Sequence, residues 1–190
     1  MSENRAPHEP SGPEGTAPPS IAPDSPDRSR GEPRSSPERV LRIERTFSAR
    51  RERVYAAWTE GTLLRAWSCP EGLTVGEAWN DLRVGGRFLL EMIEPDSVTR
   101  HVATGRYLEL DPPRRIVMTH GWLHEGETPE AVDERATHIT VTFFEEGPHT
   151  RMVFVQRGFP SDESRDGHDE GWKSSFRQLD TLLASMGGDS

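Results

Sequence analysis

Ile116, Met118, His120 and Trp122 alternate with their neighbours in the stretch from Arg115 to Leu123. Alternate residues of an extended strand share a face, so the His120 imidazole is expected among three apolar side chains. An imidazole titrates near neutral pH and can act as acid or base inside a cavity. A core histidine with its hydrogen bonds satisfied fits the same position. Tyr107 and Glu109 are the other polar nominees for chemistry in such a cavity. His124 follows His120 with three residues between them. On a helix that spacing would place a metal pair on one face, but here it runs from a strand end into a loop. The chain has one cysteine, Cys69, and His138, His149 and His168 are scattered, so no zinc-type ligand set is assembled. We expect no metal. No Gly-X-Ser-X-Gly elbow, phosphate-binding glycine loop or dinucleotide fingerprint occurs, so no cofactor is expected and no catalytic residue is assigned.

Five tryptophans, Trp58, Trp67, Trp79, Trp122 and Trp172, are many for a chain of this length. Large rings dominate core energetics, and they also line ligand pockets, where indole adds one donor to its apolar surface. Trp122 ends an inward strand face and Trp172 begins a helical stripe, so these two are the better pocket candidates. The wider cavity-lining set is Trp67, Trp79, Phe88, Leu90, Met92, Tyr107, Met118 and His120, with Phe154 and Phe176 beside Trp122 and Trp172. Asp81 and Arg83 flank Leu82 before the Gly85-Gly86 pair. Their two readings are an ion pair holding the turn, or a cavity mouth where the planar donors of Arg83 grip an anionic head group.

Positioning such groups is the task of the elements around them. Trp172, Phe176, Leu179 and Leu183 step by four, three and four residues, which is one face of a helix predicted over Arg165 to Met186. His168, Asp169 and Glu170 fall in its first turn, where acids complement the helix dipole. The linker before it runs from Gly158 to Asp166. Upstream the chain reads mostly as strands. The first has Leu41, Ile43 and Phe47 inward; then come Leu73 to Trp79, Arg87 to Glu94, His101 to Leu110, Arg115 to Leu123, Thr137 to Glu145 and Thr150 to Arg157. Two short helices follow the first strand, one capped by Ser48 and the other by Thr59. Glu125 to Arg135 reads as a flexible loop. Strands joined by short turns pair as an antiparallel meander, and a seven-stranded sheet with one face solvated curves. The long helix would fill its concavity, giving an α+β architecture.

Hydrophobic content is 32%, with the deficit concentrated in the first residues. Residues 1–38 are rich in Pro, Ser, Gly and charge and are expected to be a disordered tail; burial there cannot offset an ordering cost of about 1–2 kcal/mol per residue. Residues 39–187 form the domain. The formal net charge is -9, and no basic run or helical stripe occurs. Nucleic acid is therefore not expected as a partner, since phosphate contacts need a basic face. The lone cysteine fits a reducing compartment. The opening residues contain no apolar run for a signal core or membrane span, so a cytoplasmic location is expected.

A set of segments, taken in order, resembles a known family. These are Arg45-Thr46-Phe47-Ser48-Ala49 leading to Val54-Tyr55-Ala56-Ala57-Trp58, then Leu63-Leu64-Arg65-Ala66-Trp67, and Asp81-Leu82-Arg83-Val84-Gly85-Gly86-Arg87-Phe88. Further on come the stretch from Gly105 to Val117, Thr150-Arg151-Met152, and His168-Asp169-Glu170-Gly171-Trp172. Over residues of about 40 to 186 the chain is similar to the START-like (SRPBCC) superfamily, and within it to the heat-shock-protein-90 ATPase activator homologue group. That resemblance implies the helix-grip fold and a hydrophobic cavity between sheet and helix. Binding of a small hydrophobic or amphipathic ligand is the function it implies, without assigned catalysis. The alternatives are a cyclase- or hydrolase-type enzyme using the same cavity, and a co-chaperone-like module with a chaperone or other protein as partner. Either a monomer or a homodimer fits. Deleting residues 1–37 is expected to leave the melting temperature nearly unchanged, as calorimetry would show; a large drop would mean that the tail packs on the domain.

Overall fold

The structure, a computed structural model, describes residues 38–187. The expected N-terminal tail lies outside the described residues, apart from Glu38. The chain runs β1 (Val40–Phe47), α1 (Arg51–Thr59), α2 (Gly61–Trp67), β2 (Thr74–Asn80), β3 (Arg87–Ile93), β4 (Arg100–Asp111), β5 (Arg115–Leu123), α3 (Pro129–Asp133), β6 (Thr137–Glu146), β7 (His149–Arg157) and α4 (Asp162–Ser185). The seven strands form one antiparallel sheet in the order β1-β7-β6-β5-β4-β3-β2. From one edge at β1, the helix pair α1–α2 carries the chain to the opposite edge, and the meander returns from β2 to β7. Bulges at Val75/Ala78 in β2 and Tyr107/Glu109 in β4 break the register. Such extra residues bend a strand and deepen the local twist.

The concave face holds the core. Leu41, Ile43 and Phe47 of β1 are buried there, as their alternation predicts, and Phe176, Leu179 and Leu183 of α4 are buried against them. Trp58 of α1 sits at the junction, with its ring 4.8 Å from that of Trp67 and 6.0 Å from that of Phe176. An ion pair from Arg45 of β1 to Asp180 of α4 ties the edge strand to the helix.

Several local readings differ from what the residues suggested. Helix α4 starts at Asp162, not Arg165, because the Ser161 Oγ accepts from the Ser164 N–H at 3.1 Å and caps the first turn. Neither Ser48 nor Thr59 caps a helix: Arg50 and Glu60 occupy those positions, and the Thr59 hydroxyl donates back to the Tyr55 carbonyl at 3.0 Å. The stretch Glu125 to Arg135, expected to be a loop, contains α3. Pro129 opens it with a pre-set backbone angle, and its Asp133 accepts from Arg87 at 2.7 Å and Arg106 at 3.0 Å.

Close approach of β4 and β5 depends on a glycine. A Cβ on Gly105 would lie 1.9 Å from the Thr119 carbonyl oxygen and 2.9 Å from the Phe88 ring. Gly105→Ala is therefore expected to lose about 3 kcal/mol, the upper end of overpacking costs, measured as a shift in the urea unfolding midpoint.

Candidate functional site

Two adjacent hollows lie between α4 and the sheet. The outer cavity has a volume of about 450 Å³. It is walled by Met92 of β3, His101 of β4 and Trp122 of β5, by Ser68, Pro70 and Leu73 from the segment joining α2 to β2, and by the first half of α4. The inner compartment is much smaller, about 50 Å³, and lies deeper, among Trp58, Trp67, Phe88, Tyr107, Met118 and His120. Ser68 and Trp172 line both.

Helix α4 can leave room for the outer cavity because of its composition. Ser164, Gly167, Gly171 and Ser175 all line it, at steps of three, four and four residues along one face. A glycine inside a helix costs roughly 0.5–1 kcal/mol relative to alanine. What the two glycines supply is space: a Cβ on Gly167 would meet nothing within 4 Å. His168 and Trp172 project from the same side of the helix into this region.

A chain of three hydrogen bonds, two of them buried and one part-buried, orients these groups. The Trp172 indole N–H donates to Gln156 Oε1 at 2.8 Å, and Gln156 Nε2 donates to Thr137 Oγ1 at 2.8 Å. The Thr137 hydroxyl then donates to the His120 carbonyl, also at 2.8 Å. Four elements, α4, β7, β6 and β5, are joined in one direction, and the indole donor at one end fixes the orientation of the amide. The rings packed beside this chain are His120 with Trp122 at 5.5 Å, His120 with His168 at 5.7 Å and Trp122 with His168 at 5.7 Å.

Burial governs the imidazoles. His120 is 6% exposed, and its Nδ1 has no hydrogen-bond partner among the described residues. Loss of solvation, reinforced by the neighbouring His168, pushes its pKa down to about 3. A group protonated only near that value is neutral at ordinary pH and a weak base, so it is suited to hydrogen bonding more than to proton abstraction. Burial also lowers the pKa of His168. Its Nδ1 lies 2.7 Å from the Ser164 carbonyl. A carbonyl only accepts, so Nδ1 carries the proton and Nε2 is the acceptor. Tyr107 is buried too, which raises its pKa, and Asn80 donates to its hydroxyl at 3.4 Å.

The expected cavity residues divide into two groups. Met92 and Trp122 line the outer cavity, Trp67, Phe88, Leu90, Tyr107, Met118 and His120 the inner one, and Trp172 both. Phe154 and Phe176 do not reach either; they are wholly buried behind Trp172, at ring distances of 4.8 Å and 5.6 Å, and back it from the core. Trp79 is 43% exposed on the other face of the sheet. The β2 bulge pairs it with Leu89, whereas Phe88 and Leu90, on the inner face, pair with Asn80 and Ala78. Asp81 and Arg83 are not at the mouth. Arg83 Nε donates to Asp81 Oδ2 at 2.8 Å within a turn tied to Tyr107, at the Arg87 end of β3, while the cavity opens at the Met92 end. Glu109, carried past a bulge, faces solvent opposite Arg115.

Sequence reasoning missed Trp58, Ser68, His101, Gly167 and Gly171 as lining residues, and Gln156 as the pin of Trp172. Two signals were present: small residues at helical spacing beside Trp172, and a polar Gln156 continuing the alternate row Met152, Phe154. Among the described residues no group of three or more His, Cys, Asp or Glu could hold a metal ion, and no helix is long and apolar enough to cross a membrane.

Residues 48–184 match the family described as activator of Hsp90 ATPase homolog 1-like protein. The chain belongs to this family. Its helix-grip fold recurs in solved structures of similar sequence. A protein of Chromobacterium violaceum is 30% identical, with a TM-score of 0.66 over 76% of this chain and 97% of that one. An AHSA1 protein of Silicibacter pomeroyi is 28% identical, with a TM-score of 0.68 over 78% and 99%. A protein of Mycobacterium smegmatis is 26% identical, with a TM-score of 0.64 over 76% and 90%. No curated protein matches the chain.

The pKa of His120 has a direct consequence for stability. The unfolded chain takes up this proton near pH 6.5, but the folded one only near about 3. Stability is therefore full above the unfolded value and drains as the pH falls, by about 1.4 kcal/mol per pH unit for one such proton. His168 contributes in the same direction. Denaturant titrations between pH 6.5 and 4 are expected to show a shallower acid-side loss for His120→Leu than for the wild type.

Proposed function

We propose that the protein binds a small apolar or amphipathic molecule in the hollow between the curved sheet and α4, without catalysing its conversion. The observation that carries this reading is the outer cavity of about 450 Å³, which Gly167 and Gly171 line without side chains to fill it. Its volume is in the range of ligand pockets, about 300–1,000 Å³, and its walls are mostly apolar with few polar groups. Trp122 and Trp172 offer flat aromatic surface to a ring or an acyl chain. Membership of the family supports a ligand-binding type of domain; the ligand itself is inferred from the cavity. A co-chaperone role would make the cavity incidental and would be favoured by a filled one. An enzyme of the cyclase or hydrolase type would need a reactive group inside, and His120 is too weak a base to serve well.

Native mass spectrometry of protein purified from its own host is expected to reveal a retained small molecule. Gly167→Leu is expected to abolish that retention by filling the mouth, while raising helix stability by about 0.5–1 kcal/mol. Retention that survives Gly167→Leu would contradict the proposed location.

A further inference from the structure

The inner compartment is apolar in most of its lining, yet three of its residues carry polar atoms without a partner. Trp58 Nε1, Ser68 Oγ and His120 Nδ1 are all buried and make no hydrogen bond to any described residue. The three residues are 4%, 8% and 6% exposed. Buried polar groups are normally satisfied, so three around one compartment of about 50 Å³ are conspicuous. The indole N–H can only donate, whereas the hydroxyl and the neutral imidazole can donate or accept. Together they match one small oxygen-bearing group that accepts from the indole and, where it bears a hydrogen, also donates to the hydroxyl or the imidazole.

Charge narrows the class further. Among the described residues, no Arg or Lys lines either hollow. His101, at the outer wall, is occupied by Glu94 at 2.9 Å, and Glu163 stands at the mouth. A carboxylate carried inward would lose its water without meeting a cation. A hydroxyl or carbonyl would lose only hydrogen bonds that the three groups replace.

We propose that the ligand is an uncharged aromatic or aliphatic alcohol, phenol or ketone, whose apolar body fills the outer cavity and whose oxygen enters the inner compartment between Trp58, Ser68 and His120. This rests on the ligand-binding reading above and specifies its chemistry. Ser68 and Trp172, shared by both hollows, form the threshold that the oxygen passes.

Calorimetric titration of the full chain at neutral pH with 1-naphthol, naphthalene and 1-naphthoate tests it. The expected order is 1-naphthol tightest, by about fivefold or more over naphthalene, with 1-naphthoate weakest. Ser68→Ala, Trp58→Phe and His120→Leu should each reduce the naphthol-to-naphthalene affinity ratio by about threefold to tenfold. Circular dichroism checks each variant's fold, and if His120→Leu fails to fold, the other two decide. Naphthalene matching 1-naphthol, 1-naphthoate binding best, or a ratio unmoved by all folded variants would overturn the polar anchor while leaving ligand binding intact. If none of the three probes binds the wild type, the cavity reading itself falls, and this inference with it.

Discussion

Trp172 can present its ring to a cavity only because its indole N–H is satisfied on the side away from it. The bond to Gln156 does this, and Gln156 is held by Thr137, which is held by the His120 carbonyl. In this chain of bonds two of the three are buried and the third is part-buried, so losing an inner member strands the others away from water and costs more than an exposed bond would. Its effect is positional. It sets the distance between α4 and strands β5, β6 and β7, and the hollows are what remains between them once that distance is set. Phe154 and Phe176 then close the space behind Trp172, which directs the remaining volume toward Met92, Trp122 and the mouth.

The same arrangement explains the division between a large outer and a small inner hollow. Where α4 carries Phe176, Leu179 and Leu183 it packs the sheet solidly. About one and a half and two and a half turns earlier it carries Gly171 and Gly167, and the packing opens. A single amphipathic helix thus changes from core element to cavity wall along its length. The local cost of glycine in a helix is offset by the solid packing of the following turns. His120 and His168 sit at that transition, and burial there lowers the pKa of both imidazoles.

Much of this was legible in the residues. The strand alternation from Val40 to Phe47 and from Arg115 to Leu123, together with the aromatic stripe of α4, implied a curved sheet closed by a helix, and the segment resemblances pointed to the helix-grip fold. Residues that line the hollows, such as Met118, His120 and Trp122 of β5 and Phe88 of β3, follow from strand parity alone. Parity failed where a bulge intervenes: the shift in β2 turns Trp79 outward, and the one in β4 turns Glu109 to solvent. A bulge depends on cross-strand fit, which one strand's sequence does not display. Of the two readings open for the Asp81–Arg83 pair, the turn device matches its ion pair, and only the position of the loop at the far end of β3 removes it from the cavity mouth.

By itself, the sequence determined which faces had to be buried and in what order the elements follow, because period-two and period-3.6 patterns are local properties of the chain. Only the tertiary structure decided whether the stripe from Trp172 to Leu183 packs as plain core or walls a cavity. Both outcomes bury the same side chains in the same order. The difference lies in the gap between surfaces far apart in sequence, which Gly167 and Gly171 border without side chains and across which Trp172 bonds to Gln156, sixteen residues away.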